Sequence, residues 1–346
     1  MKIPNVIDLF AGVGGLHLAF KNQGFNVCLS SDIDQWCEKT HRHNYPDVPF
    51  LRADIREINA RHIWSTIGRK VSVDLVVGGP PCQGFSTIGN RASSDPKKRA
   101  KIDERNYLFK EYVRVISQIK PKYVLMENVK GILTAKENGE YFIEKVIREF
   151  KRIGYKNLDY KVLNAADYGV PQIRNRVVII ANRVGKPISF PIPTHSANGL
   201  NGKKFHTNVV DAIGDLNGKE GKLPNHDAMN HGWKNIQRYK LIPEGGRLPE
   251  HKLSAEIYRR NFGNTFKRLH RNKPALTMVP GHSGFPIHPT KNRSLTIREA
   301  ARIQTFPDEI ILFGSRTQQG MQIGNAVPVK FAEALAAHLK DQLLGS

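Results

Sequence analysis

Val73-Asp-Leu-Val-Val-Gly-Gly-Pro-Pro-Cys-Gln-Gly-Phe-Ser86 begins as an apolar run and ends as a turn. Val73 to Val77 has the length and composition of a buried β-strand. Pro80 and Pro81 end its pairing. A thiol, Cys82, follows at once, so a rigid turn holds it at the carboxyl end of a buried strand. In an open α/β sheet that position is the rim of the crevice where ligands bind. A cysteine in a Gly/Pro turn is also compatible with a space-filling loop residue. The rest of the chain decides between the two.

Strand and helix patterns alternate on either side of this segment. Ile3 to Phe10 is an apolar strand, and Leu16, Leu18, Ala19 and Phe20 open a helix after it. Val27 to Leu29 is a second strand, followed by a polar helix over Gln35 to His43. Leu108, Tyr112, Val115, Ile116 and Ile119 recur at helical spacing, and so do Phe142, Ile143, Val146, Ile147, Phe150 and Ile153. Tyr123 to Met126 and Arg176 to Ala181 complete the strands. Such alternation implies an α/β fold, a Rossmann-like, mostly parallel sheet with helices on both faces. The pattern breaks near Arg183. It returns with a helix over Thr296 to Phe306, ended by Pro307, and a last helix over Pro328 to Leu344 with Pro328 in its first turn. The expected division is a catalytic part, residues 1–182 and 291–346, and a smaller irregular part, residues 183–290.

With 346 residues, 53 Lys and Arg face only 31 Asp and Glu, a net charge of +22. A chain this basic attracts polyanions, nucleic acid first among them. Residues 183–273 alone hold 17 Lys and Arg against 7 Asp and Glu, which points to that stretch as the nucleic-acid reader. No apolar run approaches the ~20 residues that span a bilayer, and the N-terminus lacks a signal-peptide core. The three cysteines form no Cys-x-x-Cys pair, so a reducing, cytoplasmic setting is expected. His41 and His43 have no partner at metal-ligand spacing, and no metal is expected.

Five further constellations stand out. Asp8-Leu-Phe-Ala-Gly-Val-Gly-Gly15 is a glycine turn between strand and helix, suited to close approach of a ligand. His17 stands where a nicotinamide fingerprint needs its third glycine, which argues against an oxidoreductase. Asp32 follows about 20 residues later, where a carboxylate grips ribose hydroxyls, and Asp54 ends a third candidate strand. The turn and the two acids together favour an adenosyl ligand. Glu127, in Met126-Glu-Asn-Val129, ends a buried strand, where an acid is costly unless paired or functional. In Gln172-Ile-Arg-Asn-Arg-Val177, residues 172, 174 and 176 share one side of an extended chain, and two guanidinium groups there suit a phosphate or a base carbonyl. Thr87 to Arg105 is polar and basic, a composition that fits a mobile lid and equally plain disorder.

In this order, DLFAGVGG, GGPPCQGFS, ENVKG, QIRNRV, RSLTIREAARIQTFPD and GNAVPV, the blocks resemble those of the DNA (cytosine-5)-methyltransferases, from Ile7 to about Leu335. The family keeps its target-recognition domain where this chain has residues 183–290. The resemblance implies S-adenosyl-L-methionine as methyl donor, with Phe10, Gly12, Gly14, Asp32, Ile33, Asp54, Ile55, Pro81, Leu108 and Asn325 at positions that line its site. Asp32 and Ile33 stand where relatives often have Glu and an aromatic residue. It implies Cys82 as nucleophile and Glu127, Arg174 and Arg176 as catalytic partners. Cys82 would add to carbon 6 of cytosine, because the thiolate is the reactive form of the side chain. Glu127 would contact ring nitrogen 3 and the exocyclic amine, Arg176 the carbonyl oxygen, and Arg174 a phosphate or that same oxygen. A base inside a duplex has to be flipped out to reach them. The implied partner is double-stranded DNA, with a cognate restriction endonuclease encoded nearby and a monomeric enzyme. Cytosine-5 methylation of structured RNA is the alternative.

Overall fold

A computed structural model describes residues 3–81, 104–259, 266–281 and 285–345. By packing, the chain forms two units: Met1–Asn164, Asn175–Ile192 and Ala332–Ser346 in the first, Ala165–Arg174 and Pro193–Phe331 in the second.

The first unit is a seven-stranded sheet. Its strands are β1 (Asn5–Leu9), β2 (Asn26–Asp32), β3 (Phe50–Arg52), β4 (Leu75–Gly78), β5 (Tyr123–Val129), β6 (Asn157–Asn164) and β7 (Asn175–Asn182). They lie in the order β3-β2-β1-β4-β5-β7-β6. The five from β3 to β5 are parallel, as βαβ units require. β7 runs antiparallel to both neighbours. The connections are α1 (Gly15–Asn22), α2 (Gln35–Asn44), α3 (Ala60–Ile67), α4 (Leu108–Ile119) and α5 (Phe142–Arg152). Alternate strand residues face alternate sides. Ile7, Leu9, Val76, Val124, Met126, Val177 and Ile179 pack with Ile63 of α3, Phe109, Tyr112 and Ile116 of α4, and Phe142, Val146 and Phe150 of α5 in one core.

The mostly parallel sheet is therefore as expected, with two differences. The Arg176–Ala181 run is an antiparallel insertion, not a further βαβ strand. β6 carries no apolar signal, because it is an edge strand whose residues Asp159 to Val162 are all exposed.

The second unit is made of short pieces: α6 (Val209–Ile213), α7 (Trp233–Lys240), α8 (Ile297–Ile303) and α9 (Arg316–Asn325), and the start of α10 (Val329–Leu344), most of which belongs to the first unit. Gln172–Ile173 pairs in parallel with Ala275–Leu276. Tyr239, Ile242, Leu248, Phe266 and Ile287 form a small core. Buried arginines supplement it. Arg268 donates to the carbonyls of Tyr239, Ile242, His288 and Lys291 at 2.6–2.9 Å, and Arg298 to those of Pro224, Pro307 and Ile310. A guanidinium with all its donors engaged tolerates burial. Thr296 caps α8 and is capped in return by Glu299, as its Thr-x-x-Glu spacing predicts. Arg293 grips Glu299 through both carboxylate oxygens at 2.8 and 2.7 Å and reaches Glu220 at 2.8 Å. These ties explain why residues 291–331 pack with the second unit, while the sequence grouped them by role with the first.

Candidate active site

Strand order reverses between β1 and β4, which makes their carboxyl ends the switch point of the first unit. Gly78 is paired with Leu9 on one side and Met126 on the other. A Cβ on Gly78 would lie 2.4 Å from the Leu9 carbonyl oxygen and 2.9 Å from the Tyr112 ring, so no larger residue fits. A Cβ on Gly79 would meet Glu127 Oε2 at 3.2 Å. Asn128 Nδ2 donates to the Pro80 carbonyl at 3.3 Å. The Gly-Gly-Pro-Pro run is thus clamped between the ends of β1 and β5, with Pro81 half-buried at its end. Cys82 and most of the Thr87–Arg105 segment lie outside the described residues. Asn128 was not singled out in the sequence. The signal was there: consecutive polar residues ending a buried strand point to opposite faces, Glu127 to one and Asn128 to the other.

At the end of β1 the chain turns through three left-handed residues: Phe10 (φ 59°), Gly12 (φ 55°) and Gly14 (φ 89°). That conformation is strained for phenylalanine, and such strain concentrates at ligand sites. The Gly12 amide donates to Asp32 Oδ2 at 2.9 Å, and the Asp34 amide to Asp32 Oδ1 at 3.0 Å. Asp34 itself caps α2, accepting from Trp36 and Cys37. The two neighbouring acids therefore divide the work: one holds the glycine turn, the other starts a helix. Burial pushes the Asp32 carboxyl up, and the amides of Asp34, Gly12 and Ile33 draw it back. Beside it, Ile33 is 63% exposed, an apolar surface that packing does not use. Nothing lies within 4 Å of where a Cβ on Gly12 would sit. Asp54 is held by Arg56, which donates to it at 2.5–3.0 Å and lowers its pKa. Ile55 is buried in the core, and Leu108, half-buried, opens α4 against it.

Arg176 stands opposite Val129 and Val178 opposite Glu127 in the β5–β7 ladder. Glu127 and Arg176 are diagonal neighbours on one face. Arg176 Nε lies 2.7 Å from Glu127 Oε1, with both side chains 11% exposed. That oxygen takes no aligned hydrogen bond from a described residue, so the contact is ionic and leaves hydrogen-bonding capacity. The expected alternation of Gln172, Arg174 and Arg176 is seen in burial: all three are buried, while Ile173 and Asn175 are exposed. They do not share partners. Gln172 accepts from the Met278 amide at 3.3 Å, and Arg174, in the second unit, donates to the Gly324 carbonyl at 3.2 Å. Asn325, next to Gly324, is exposed at the end of α9.

The sequence pattern of the C-5 cytosine-specific DNA methylases matches residues 4–341. The chain is 38% identical over 341 residues to the type II methyltransferase M1.HphI of Haemophilus parahaemolyticus, covering 95% of this chain and 85% of that protein. It is 34% identical to M.DdeI of Desulfomicrobium norvegicum, covering 97% and 88%. This chain belongs to the C-5 cytosine-specific DNA methylase family. Its fold is shared with a protein described as a DNA modification methyltransferase encoded within an E. coli prophage (TM-score 0.71, 28% identity, 99% of this chain and 100% of that one). It is shared also with the S. pombe Dnmt2 methyltransferase (TM-score 0.64, 19% identity, 99% of each chain).

The methylase is a DNA cytosine-5 methyltransferase, and its family uses S-adenosylmethionine. The residues present fit that donor. The open space at Gly12 admits a ligand against the backbone, Asp32 offers carboxylate lone pairs, and Ile33 offers an unused apolar face. Among the described residues, Glu220, His226 and Glu299 are the one grouping with metal-ligand proximity. Arg293 and Lys291 hold the two carboxylates, and the His226 nitrogens face Thr296 Oγ1 and the Leu216 carbonyl. No helix among the described residues is long and apolar enough to cross a membrane.

Proposed function

We propose that this methylase modifies cytosine within a short specific sequence of double-stranded DNA, through a covalent Cys82 adduct at carbon 6 of a flipped-out base. The observation that carries this reading is the buried Glu127–Arg176 pair beside the clamped Gly79–Pro80 run that leads to Cys82. S-adenosylmethionine supplies an activated methyl group when bound, held by the Phe10–Gly14 turn, Asp32 and Ile33.

Addition of the Cys82 thiolate to carbon 6 breaks the aromaticity of the ring and gives carbon 5 enamine character. Negative charge builds on the base as the bond forms. Preplaced groups stabilise it best, because they need no reorganisation. Glu127, protonated or sharing a proton with the base, donates to ring nitrogen 3 and accepts from the exocyclic amine. Arg176 faces the carbonyl oxygen and keeps Glu127 in place. Once carbon 5 is methylated, loss of its proton and expulsion of Cys82 restore the ring. Arg174 acts at one remove. Its bond to Gly324 favours a role in holding the helix end that carries Asn325, rather than the contact to a phosphate or to the carbonyl oxygen that the resemblance implies.

Residues 183–290 are the proposed recognition region, supported by the cation surplus concentrated there, which suits a phosphate backbone. The type II names of the relatives support a restriction endonuclease of the same specificity as genetic partner, and a cytoplasmic enzyme acting on chromosomal DNA as a monomer.

Bisulfite sequencing of plasmid DNA from cells expressing the chain tests the proposal, with Cys82→Ser as control. Methylated cytosines confined to one short motif and absent in the control are expected. Methylation that survives Cys82→Ser overturns the covalent step. Unmodified DNA alongside modified structured RNA overturns the substrate.

A further inference from the structure

We propose that Tyr45, acting through His17 and Gly14, is a positioning residue for the methyl-donor turn, and that α2 braces both halves of the donor site. The inference rests on the reading of Phe10–Gly14 and Asp32 as that site.

Behind the glycine turn lies a polar cluster with no route to solvent. Asp8, His17, Ser30 and His41 are each 0% exposed, and Tyr45 is 3% exposed. Gly14 begins α1 but has no side chain to cap it. Asp8 on β1 does so instead, accepting from the His17 amide at 3.1 Å. The His17 ring is fixed on three sides. Its Nδ1 lies 3.0 Å from Ser30 Oγ and 3.2 Å from His41 Nε2, and its face lies against Tyr45 at 4.1 Å between centroids. The Tyr45 ring also packs on His41 at 4.8 Å, and its amide donates to the His41 carbonyl at 2.8 Å. A Cβ on Gly14 would lie 3.0 Å from Tyr45 Cε2 and 3.5 Å from His17 Cβ. The tyrosine ring therefore walls off the space beside Gly14 and leaves no room for a side chain on the turn.

The carboxyl end of α2 thus supports one end of the turn. The segment leading into its amino end supports the other, since Asp32 holds the Gly12 amide and Asp34 caps the helix. Ile33 stands between them. The turn, the hydroxyl-gripping acid and the apolar face are consequently referenced to a single helix. Their mutual geometry is set before a ligand arrives, which lowers the ordering cost of binding.

The support is steric, not a hydrogen bond to the phenol. Tyr45 Oη has no hydrogen-bond partner among the described residues. The ring is the working part, and phenylalanine should replace it. Both histidines are neutral, held there by burial, with nearby Lys21 opposing a positive charge on either and Arg42 opposing one on His41. Burial likewise pushes the Asp8 carboxyl well above the usual range, against the pull of the His17 amide.

The test is steady-state methylation with the donor and the DNA varied separately, on wild type, Tyr45→Phe, Tyr45→Leu and Tyr45→Ala. Direct donor binding to the enzyme without DNA is measured alongside. Tyr45→Ala is expected to raise the donor Kd and KM about tenfold, with kcat and DNA affinity within about twofold of wild type. Tyr45→Leu should fall between, and serves if the alanine variant does not fold. Tyr45→Phe should match wild type. Parallel loss of DNA affinity and kcat would mean a merely structural role and overturn the proposal. So would an unchanged donor KM in a folded Tyr45→Ala or Tyr45→Leu, or a defect in Tyr45→Phe as large as in Tyr45→Ala. A wild-type enzyme that binds no donor would overturn the reading of the turn itself, whatever the variants do.

Discussion

Replacing Gly78 with alanine tests the switch-point geometry at its tightest place. The added methyl would sit 2.4 Å from the Leu9 carbonyl oxygen and 2.9 Å from Tyr112 Cε2. Ordinary contacts begin roughly 1 Å further out for the first of these, since close-packed carbon and oxygen atoms sit ~3.5 Å apart. The carbonyl belongs to a paired strand and the ring to a buried helix, so neither can swing aside. Relief requires β1 and β4 to separate at their ends. Overpacking of this kind costs about 1–3 kcal/mol, and weakening one ladder hydrogen bond adds about 1 kcal/mol. Restricting the unfolded chain returns roughly 0.5–1 kcal/mol. The net loss should be about 1–3.5 kcal/mol. Gly79→Ala is the matched control. Its methyl would meet only the tip of Glu127, at 3.2 Å, and a side-chain tip can yield. The expected pattern is a lower urea midpoint with weaker donor binding for Gly78→Ala, against a near-normal midpoint with reduced kcat for Gly79→Ala. Equal midpoints for Gly78→Ala and wild type would refute the reasoning.

Two other outcomes are expected. Arg176→Met strands Glu127 in a buried position; breaking such a pair costs about 3 kcal/mol and should lower single-turnover methylation at least 100-fold, about 3 kcal/mol of transition-state stabilisation. Adding Glu127→Gln should recover stability but not activity, and a double variant that stays as unstable as Arg176→Met would show that the ion pair is not what the arginine supports. The buried cluster should also give the protein an acid limb. Burial pushes His17 down to about 2 and His41 to about 3 from an ordinary 6.5, so their contribution is complete above pH 6.5 and lost as pH falls, by about 2 kcal/mol for each imidazole at pH 5. Asp8 works oppositely: its raised pKa gives stability that is full below about pH 4 and lost as pH rises. Denaturant midpoints across pH should therefore fall off less steeply on the acid side in a folded His17→Phe/His41→Phe variant, and an unchanged acid limb would contradict this assignment.

The sequence disclosed most where one residue had to satisfy two demands. Gly78 ends a buried strand and sits between two others, so the glycine, the apolar run before it and the prolines after it could be read together. The helices with strong apolar periodicity, α4 and α5, were legible for the same reason. β6 was not, because an edge strand exposed on both faces leaves little pattern. The antiparallel course of β7 was not either, since an apolar run carries no direction. At the site, Asp32 and Glu127 stood out as acids at strand ends. The pairings themselves did not, because Gly12, Asp34 and Arg176 meet these acids through sheet register and turn geometry. The Asp8–His17–His41–Tyr45 cluster was hidden for another reason. A polar residue in a helix reads as solvent-facing until a second helix is known to cover it.

The placement of acids bears on how so basic a chain stays folded. A surplus of 22 positive charges repels itself and works against a compact state. Several acids are nonetheless withdrawn from the surface: Asp8, Glu127 and Glu299 are each at most 9% exposed. None is there to neutralise the exterior. Asp8 caps a helix, Glu127 faces Arg176, and Glu299 joins Arg293 to the cap of α8. Arg174, Arg176, Arg238, Arg268, Arg293 and Arg298 are withdrawn as well, so the outer surface keeps most of the cationic surplus of the composition. A polyanion bound there relieves the repulsion as it releases counterions, so DNA should stabilise the folded methylase most at low salt and progressively less as salt screens both effects.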